Sequence, residues 1–236
     1  VLYNIDNIKI FVEEEILSPS GDLFGSKLVE RLKTGEWEAE EFEMLNTMPS
    51  DCTVLELGGC IGFISCATNR LLENKENHVV VEANSNLIET IKNNKNLNDS
   101  KFKVKNCIVS SKEGSVEFYV DKRSILGSST AMQKSRIHET LDIETKTVRE
   151  IEQENGLVFD ALICDIEGGE YELFLSEMMQ EKIKELRFIS VEFHWNIANS
   201  KAMSQHIVQN IREEGFDVTT FTAKTGQLQL FAVKNK

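Results

Sequence analysis

The chain has 236 residues, 41% hydrophobic and 28% charged, and its 26 Lys and Arg against 39 Asp and Glu leave a formal charge of −13. That size and balance suit one α/β domain with additions and exclude a disordered or fibrous chain. The acidic excess repels phosphate backbones and anionic lipid, so neither nucleic acid nor a membrane is an expected partner.

Residues 1–50 are expected to form a hairpin and helices packed on a core domain at 51–236. Ile8, Ile10 and Val12 alternate on one side, as in a short hairpin. Ser20 and Asp22 are N-cap candidates for a helix reaching about Leu32, before Gly35 breaks the chain. Trp37, Phe42, Leu45 and Met48 share one face of a second helix, with Trp37 as a packing anchor. From Thr53 the pattern changes. Strands are predicted at 53–57, 78–82, 102–109 and 114–120, with helices at 61–72 and 87–97. Residues 124–135 read as a polar loop, and no element is predicted before the helix at 148–155. A strand at 159–165, a helix at 171–179, a strand at 188–193 and a helix at 202–214 follow. Two strands, 217–221 and 228–233, close the chain around the turn at Lys224 and Gly226. Strands spaced by helices imply a mostly parallel sheet covered on both faces, and the closing hairpin implies one antiparallel strand.

The five cysteines, Cys52, Cys60, Cys66, Cys107 and Cys164, are odd in number and form no C-x-x-C pair. They read as reduced thiols of a cytoplasmic protein. No apolar run approaches membrane-spanning length, and no signal peptide is read at the start.

Candidate binding residues lie where strands end. Leu55-Glu56-Leu57-Gly58-Gly59-Cys60-Ile61-Gly62 ends a strand and opens a helix. Glycines there let the backbone turn tightly and approach a ligand, and the helix start offers free N–H groups. The dinucleotide pattern G-x-G-x-x-G fails, since Cys60 and Phe63 stand where its later glycines belong. Glu82 ends the next strand, where a carboxylate offers two oxygens to the two hydroxyls of a ribose. Ala83 and Asn84 follow it in the same bend. By topology, Cys107 and Ile108 flank the adenine. Cys164-Asp165-Ile166-Glu167-Gly168-Gly169-Glu170 ends the fourth core strand and Val191-Glu192-Phe193-His194 the fifth. Ligands of open α/β sheets bind at such ends.

On these motifs, together with Val81-Glu82-Ala83-Asn84 and Gly127-Ser128-Ser129, the chain resembles the FkbM family of methyltransferases from about Trp37 to Phe231. The resemblance implies a Rossmann-like class I methyltransferase fold: a mostly parallel seven-stranded sheet with an antiparallel closing strand. It also implies S-adenosylmethionine as cofactor and O-methylation of a hydroxyl on a sugar or other small metabolite. Glu56, Gly58, Gly62 and Glu82 match cofactor positions, Glu56 facing the methionine ammonium; Asp165 and Glu167 match active-site positions. The family commonly has Asp where this chain has Glu56, and Pro where it has Ala83.

His194 is the first candidate for general base, because an unperturbed His titrates near neutrality, and Asp165 is the second. Ser128 and Ser129 are placed to hydrogen-bond a small-molecule or glycan acceptor. A magnesium ion held by Asp165, Glu167 and Glu192 is an alternative way to lower the pKa of the acceptor hydroxyl. Two rivals stay open: a non-catalytic module that binds adenosine or S-adenosylmethionine, and an NAD-linked oxidoreductase. Oligomeric state is not read from the sequence.

Overall fold

The computed structural model describes residues 2–13, 30–35, 38–121, 128–130, 132–195, 198–224 and 226–234. Ser20, Asp22, Trp37 and Gly127 lie outside the described residues, while residues 30–34 are helical. Strands β1 (Leu2–Ile5) and β2 (Ile8–Phe11) form the expected hairpin. Its two-residue turn, Asp6-Asn7, has φ of +50° and +66°. Two positive φ values match the twist of the flanking strands, and Asp and Asn adopt them at little cost. Ile8, Ile10 and Val12 are buried, as their alternation implies.

Helix α1 (Ala39–Leu45) leads to β3 (Val54–Leu57), α2 (Phe63–Leu71), β4 (His78–Val81), α3 (Ile88–Leu97) and β5 (Lys103–Lys105). Then come β6 (Ile108–Val109), β7 (Gly114–Asp121), β8 (Ile137–Lys146), α4 (Val148–Asn155) and β9 (Ala161–Cys164). The chain closes through α5 (Glu170–Leu175), α6 (Glu177–Glu185), β10 (Phe188–Phe193), α7 (Ser200–Glu213), β11 (Phe216–Thr222) and β12 (Leu228–Lys234).

The main sheet has seven strands in the order β11-β12-β10-β9-β3-β4-β5. Strand β12 runs antiparallel to both neighbours, and the pairs from β10 across to β5 are parallel. Its central strands are near-continuous apolar runs because helices cover both faces. Val54, Val80, Ala161 and Ile163 face a core shared with the hairpin and α2. Leu55, Val79, Leu162 and Cys164 face a second core shared with α4 to α7. Strand β3 lies between β4, reached through α2, and β9, reached much later in the chain. This is the switch point at which open sheets part to make a crevice.

Three expectations need correction. The strand expected over 102–109 is split: β5 joins the main sheet, and β6 joins a second sheet of order β6-β8-β7. Between them Asn106 donates its side-chain amide to the carbonyls of Glu82 (2.8 Å) and Ala83 (2.9 Å), so the chain leaves the main sheet at the end of β4. Strand β8, unpredicted, pairs antiparallel with β7 over most of its length. The helix expected over 171–179 is two helices. Ser176 divides them at ψ 146°, its hydroxyl donating to Leu173 O and accepting from Met179 N. Among the described residues, no helix is long and apolar enough to cross a membrane.

Candidate active site

At the carboxyl ends of β3, β4 and β9 lies a cavity of about 610 Å³, roofed by residues of β6 and β7. Its floor is the glycine turn. Gly58 has φ +89°, and a Cβ there would stand 1.7 Å from the carbonyl oxygen of Asp165. Only glycine lets the ends of β3 and β9 approach so closely. Cys60 (φ +50°) and Gly62 (φ +84°) are also left-handed, and a Cβ on Gly59 would meet Val80 at 2.5 Å.

Glu82 is buried at the cavity wall. Its Oε2 accepts the Cys60 N–H at 2.8 Å and its Oε1 accepts the Asn84 N–H at 2.7 Å. Each oxygen keeps a lone pair for a ribose hydroxyl. Burial pushes the carboxyl up to about 7, against the opposing pull of the backbone N–H groups. Ala83, Asn84, Cys107 and Ile108 line the cavity beside it.

Glu56 stands behind the turn. It accepts the Ser65 hydroxyl, and its other oxygen lies 3.0 Å from His78 Nε2, all three side chains being buried. This network ties β3 to β4 and α2. Glu56 borders a narrow side lobe and not the main cavity. Ser128 lines the cavity with its Oγ accepting the Asp121 N–H, whereas Ser129 pairs through its backbone with Tyr119.

The catalytic candidates converge. Glu170, at 0% exposure, accepts through Oε1 from the N–H groups of Ile166 (3.2 Å) and Gly168 (3.1 Å) and lies 3.0 Å from His194 Nδ1. The other ring nitrogen, Nε2, faces Glu167 at 3.4 Å and Asp165 at 3.7 Å. Burial disfavours charge on His194, yet the bond to Glu170 and the charges of Asp165 and Glu167 outweigh it and push the ring up to about 10. Burial raises Asp165 and carries Glu167 up to about 7, with His194 opposing in both cases. Burial and the Asp165 charge carry Glu192 up to about 8.

The model for the methyltransferase FkbM domain matches residues 56–218. The chain belongs to the FkbM methyltransferase family. Cofactor-bound Rv0187 from MTB has a similar fold, with a TM-score of 0.50 at 14% identity over 84% of this chain and 81% of that one. The precorrin-6y C5,15-methyltransferase from Geobacter metallireducens GS-15 aligns with a TM-score of 0.49 at 12% identity over 85% and 88% of the two chains. No curated protein matches in sequence. The fold is thus that of class I methyltransferases, and membership implies S-adenosylmethionine as methyl donor.

Within this FkbM fold the metal trio expected from sequence is not the set the structure gathers. Glu192 is held by the Gln229 amide. Among the described residues, the donors close enough to share an ion belong to Asp165, Glu170 and His194. Without an ion, both nitrogens of that His face carboxylates, which suits an imidazolium. Neither the family nor its structural relatives point to a divalent cation, and no step is derived through one. The sequence reading missed Glu38 and Glu41, which reach the site from the start of α1. It also missed Phe118 and Thr130 on the cavity wall.

Proposed function

We propose that this FkbM-family methyltransferase methylates a hydroxyl of a sugar or another small metabolite. The supporting observation is the chain Glu170–His194–Glu167, whose outer member Glu167 lines the cavity while the other two are buried behind it. Bound S-adenosylmethionine supplies a methyl group on a sulfonium to a nucleophile lined up opposite sulfur. Glu82 receives the ribose, and the glycine turn leaves room for the methionyl tail. Glu167 would take the proton from the acceptor hydroxyl as the oxygen–methyl bond forms and the methyl–sulfur bond breaks, its electron pair staying on sulfur. This replaces His194 as the base, because an imidazolium has no lone pair to offer. His194 instead holds Glu167 and Asp165 in place and keeps their charges tolerable. Val116 and Phe118 on β7 narrow the roof and exclude water. Ser128 and Thr130 on the cavity wall would bond the acceptor's other hydroxyls. The acidic surface fits a neutral or cationic acceptor in preference to nucleic acid or a membrane. The free cysteines fit a reducing cytoplasm.

Tritiated S-adenosylmethionine offered with sugars, phenols and amines tests this reading, with the product's methyl resonance read by NMR. An O-methyl signal from a sugar or other small hydroxyl compound is expected. Transfer only to nitrogen or carbon would overturn it, and binding without transfer to any acceptor class would favour a non-catalytic module.

A further inference from the structure

Behind the glycine turn, the side lobe has a volume of about 10 Å³ and is walled by Glu38, Glu41, Glu56 and Asp165. It shares Glu38, Gly58, Cys60 and Asp165 with the main cavity, so the two adjoin. Glu56 is already held by Ser65 and His78. Glu41 is not held. It is 5% exposed and lines the lobe, and among the described residues it has neither a hydrogen-bond nor an ion-pair partner. Asp165 Oδ1 is buried without a hydrogen bond, its ion-pair neighbour being His194 Nε2 at 3.7 Å.

A buried carboxylate left unpaired costs several kcal/mol unless a cation or a proton meets it. The lobe holds about one water-sized group. That excludes a magnesium ion with its retained waters, but admits an ammonium group. Glu82, for the ribose, lines the main cavity alone; Gly58, Cys60, Asp165 and Glu38 line both spaces; Glu41 lines the lobe alone. A ligand with ribose at one end and a short aminoacyl chain at the other runs in this order.

We propose that Glu41 and Glu38, brought from the N-terminal helix α1, form with Asp165 the seat for the α-ammonium of the cofactor's methionyl tail. The assignment rests on the S-adenosylmethionine reading and moves the ammonium contact from Glu56 to residues upstream of the matched family domain. Burial, followed by the neighbouring acids, raises both Glu38 and Glu41 above the usual carboxylate range.

The test is titration calorimetry of the full chain with two ligands. S-adenosylhomocysteine carries the α-ammonium; 5′-methylthioadenosine has the same adenosine and sulfur without it. Glu41→Gln is expected to weaken S-adenosylhomocysteine by about tenfold or more and to leave methylthioadenosine within about twofold. Retained methylthioadenosine binding also shows that the variant is folded, and Glu38→Gln carries the same test should Glu41→Gln misfold. Equal weakening of both ligands, or of neither, would overturn the seat while leaving the cofactor reading intact. Competition by added magnesium chloride would assign the lobe to a metal and also overturn it. Failure of the unaltered protein to bind S-adenosylhomocysteine would remove the cofactor reading itself.

Discussion

The charge on one imidazole decides how the acids beside it can act. His194 touches three carboxylates, and Glu170, the one bound to Nδ1, has no exposed surface. A ring so placed stays protonated at neutral pH, which leaves Glu167, at about 7, as the acid facing it from the cavity that changes state near the working pH, alongside Glu82 and Glu192 farther off. Glu167 must be ionised to accept a proton, so turnover is expected to rise as pH rises through about 7 and then level off. Glu167→Gln should lower kcat by about 100-fold or more and flatten that limb. A pH–rate profile checks this, and an unchanged limb in the variant would assign the base elsewhere. The sequence made Asp165, Glu167 and His194 legible because all three follow parallel strands whose ends face one crevice. It did not disclose the ring's charge, which depends on Glu170 folding back over Ile166 and Gly168.

Elements were legible where one periodicity ruled and obscure where a single contact redirected the chain. The central strands stood out as apolar runs because both faces are buried. Strand β8 hid because its alternation, Leu141, Ile143 and Thr145, sits among charges on the outer face. Asn106 broke a predicted strand by bonding backbone beyond it, and Ser176 divided a predicted helix by bonding the backbone on either side of itself. Glu38 and Glu41 carried no local signal at all, since only tertiary packing brings α1 against the end of β9. Asn94 on α3 shows how the N-terminal hairpin is tied in. Its side chain accepts the Phe11 N–H at 2.7 Å and donates to the carbonyls of Phe11 (3.0 Å) and Ile61 (2.8 Å). The hairpin and the glycine turn thus share one fully buried amide. Asn94→Ala is expected to cost about 2 kcal/mol or more. Urea denaturation measures it, and hydrogen exchange should quicken first in β1 and β2. A loss below about 0.5 kcal/mol would mean the hairpin is held by its apolar face alone.

On the scale of the whole molecule, folding gathers acids that the unfolded chain keeps apart. Glu82, Glu167 and Glu192 hold their protons more tightly folded than unfolded. Their contribution to stability is full below the ordinary value of 4.5 and fades as pH rises through about 7 to 8. His194 adds the same trend: its contribution is full below 6.5 and is lost as pH rises through about 10. Glu154, held near 2 by Lys105 and Lys146, has finished titrating before that window and does not oppose it. The ligand-free Tm should therefore fall as pH is raised from about 5 to about 9. A Tm that rises over that window in a thermal-melt series would contradict the buried acid cluster.

Calorimetric titration of the ligand-free protein with S-adenosylmethionine, beside Glu82→Ala and with NAD as the comparison ligand, tests the central claim most directly. The expected result is saturable one-to-one binding of S-adenosylmethionine, weakened in the variant by about 1–3 kcal/mol because the ribose hydroxyls lose their acceptor. No heat with S-adenosylmethionine, equal affinity in the variant, or a preference for NAD would contradict it.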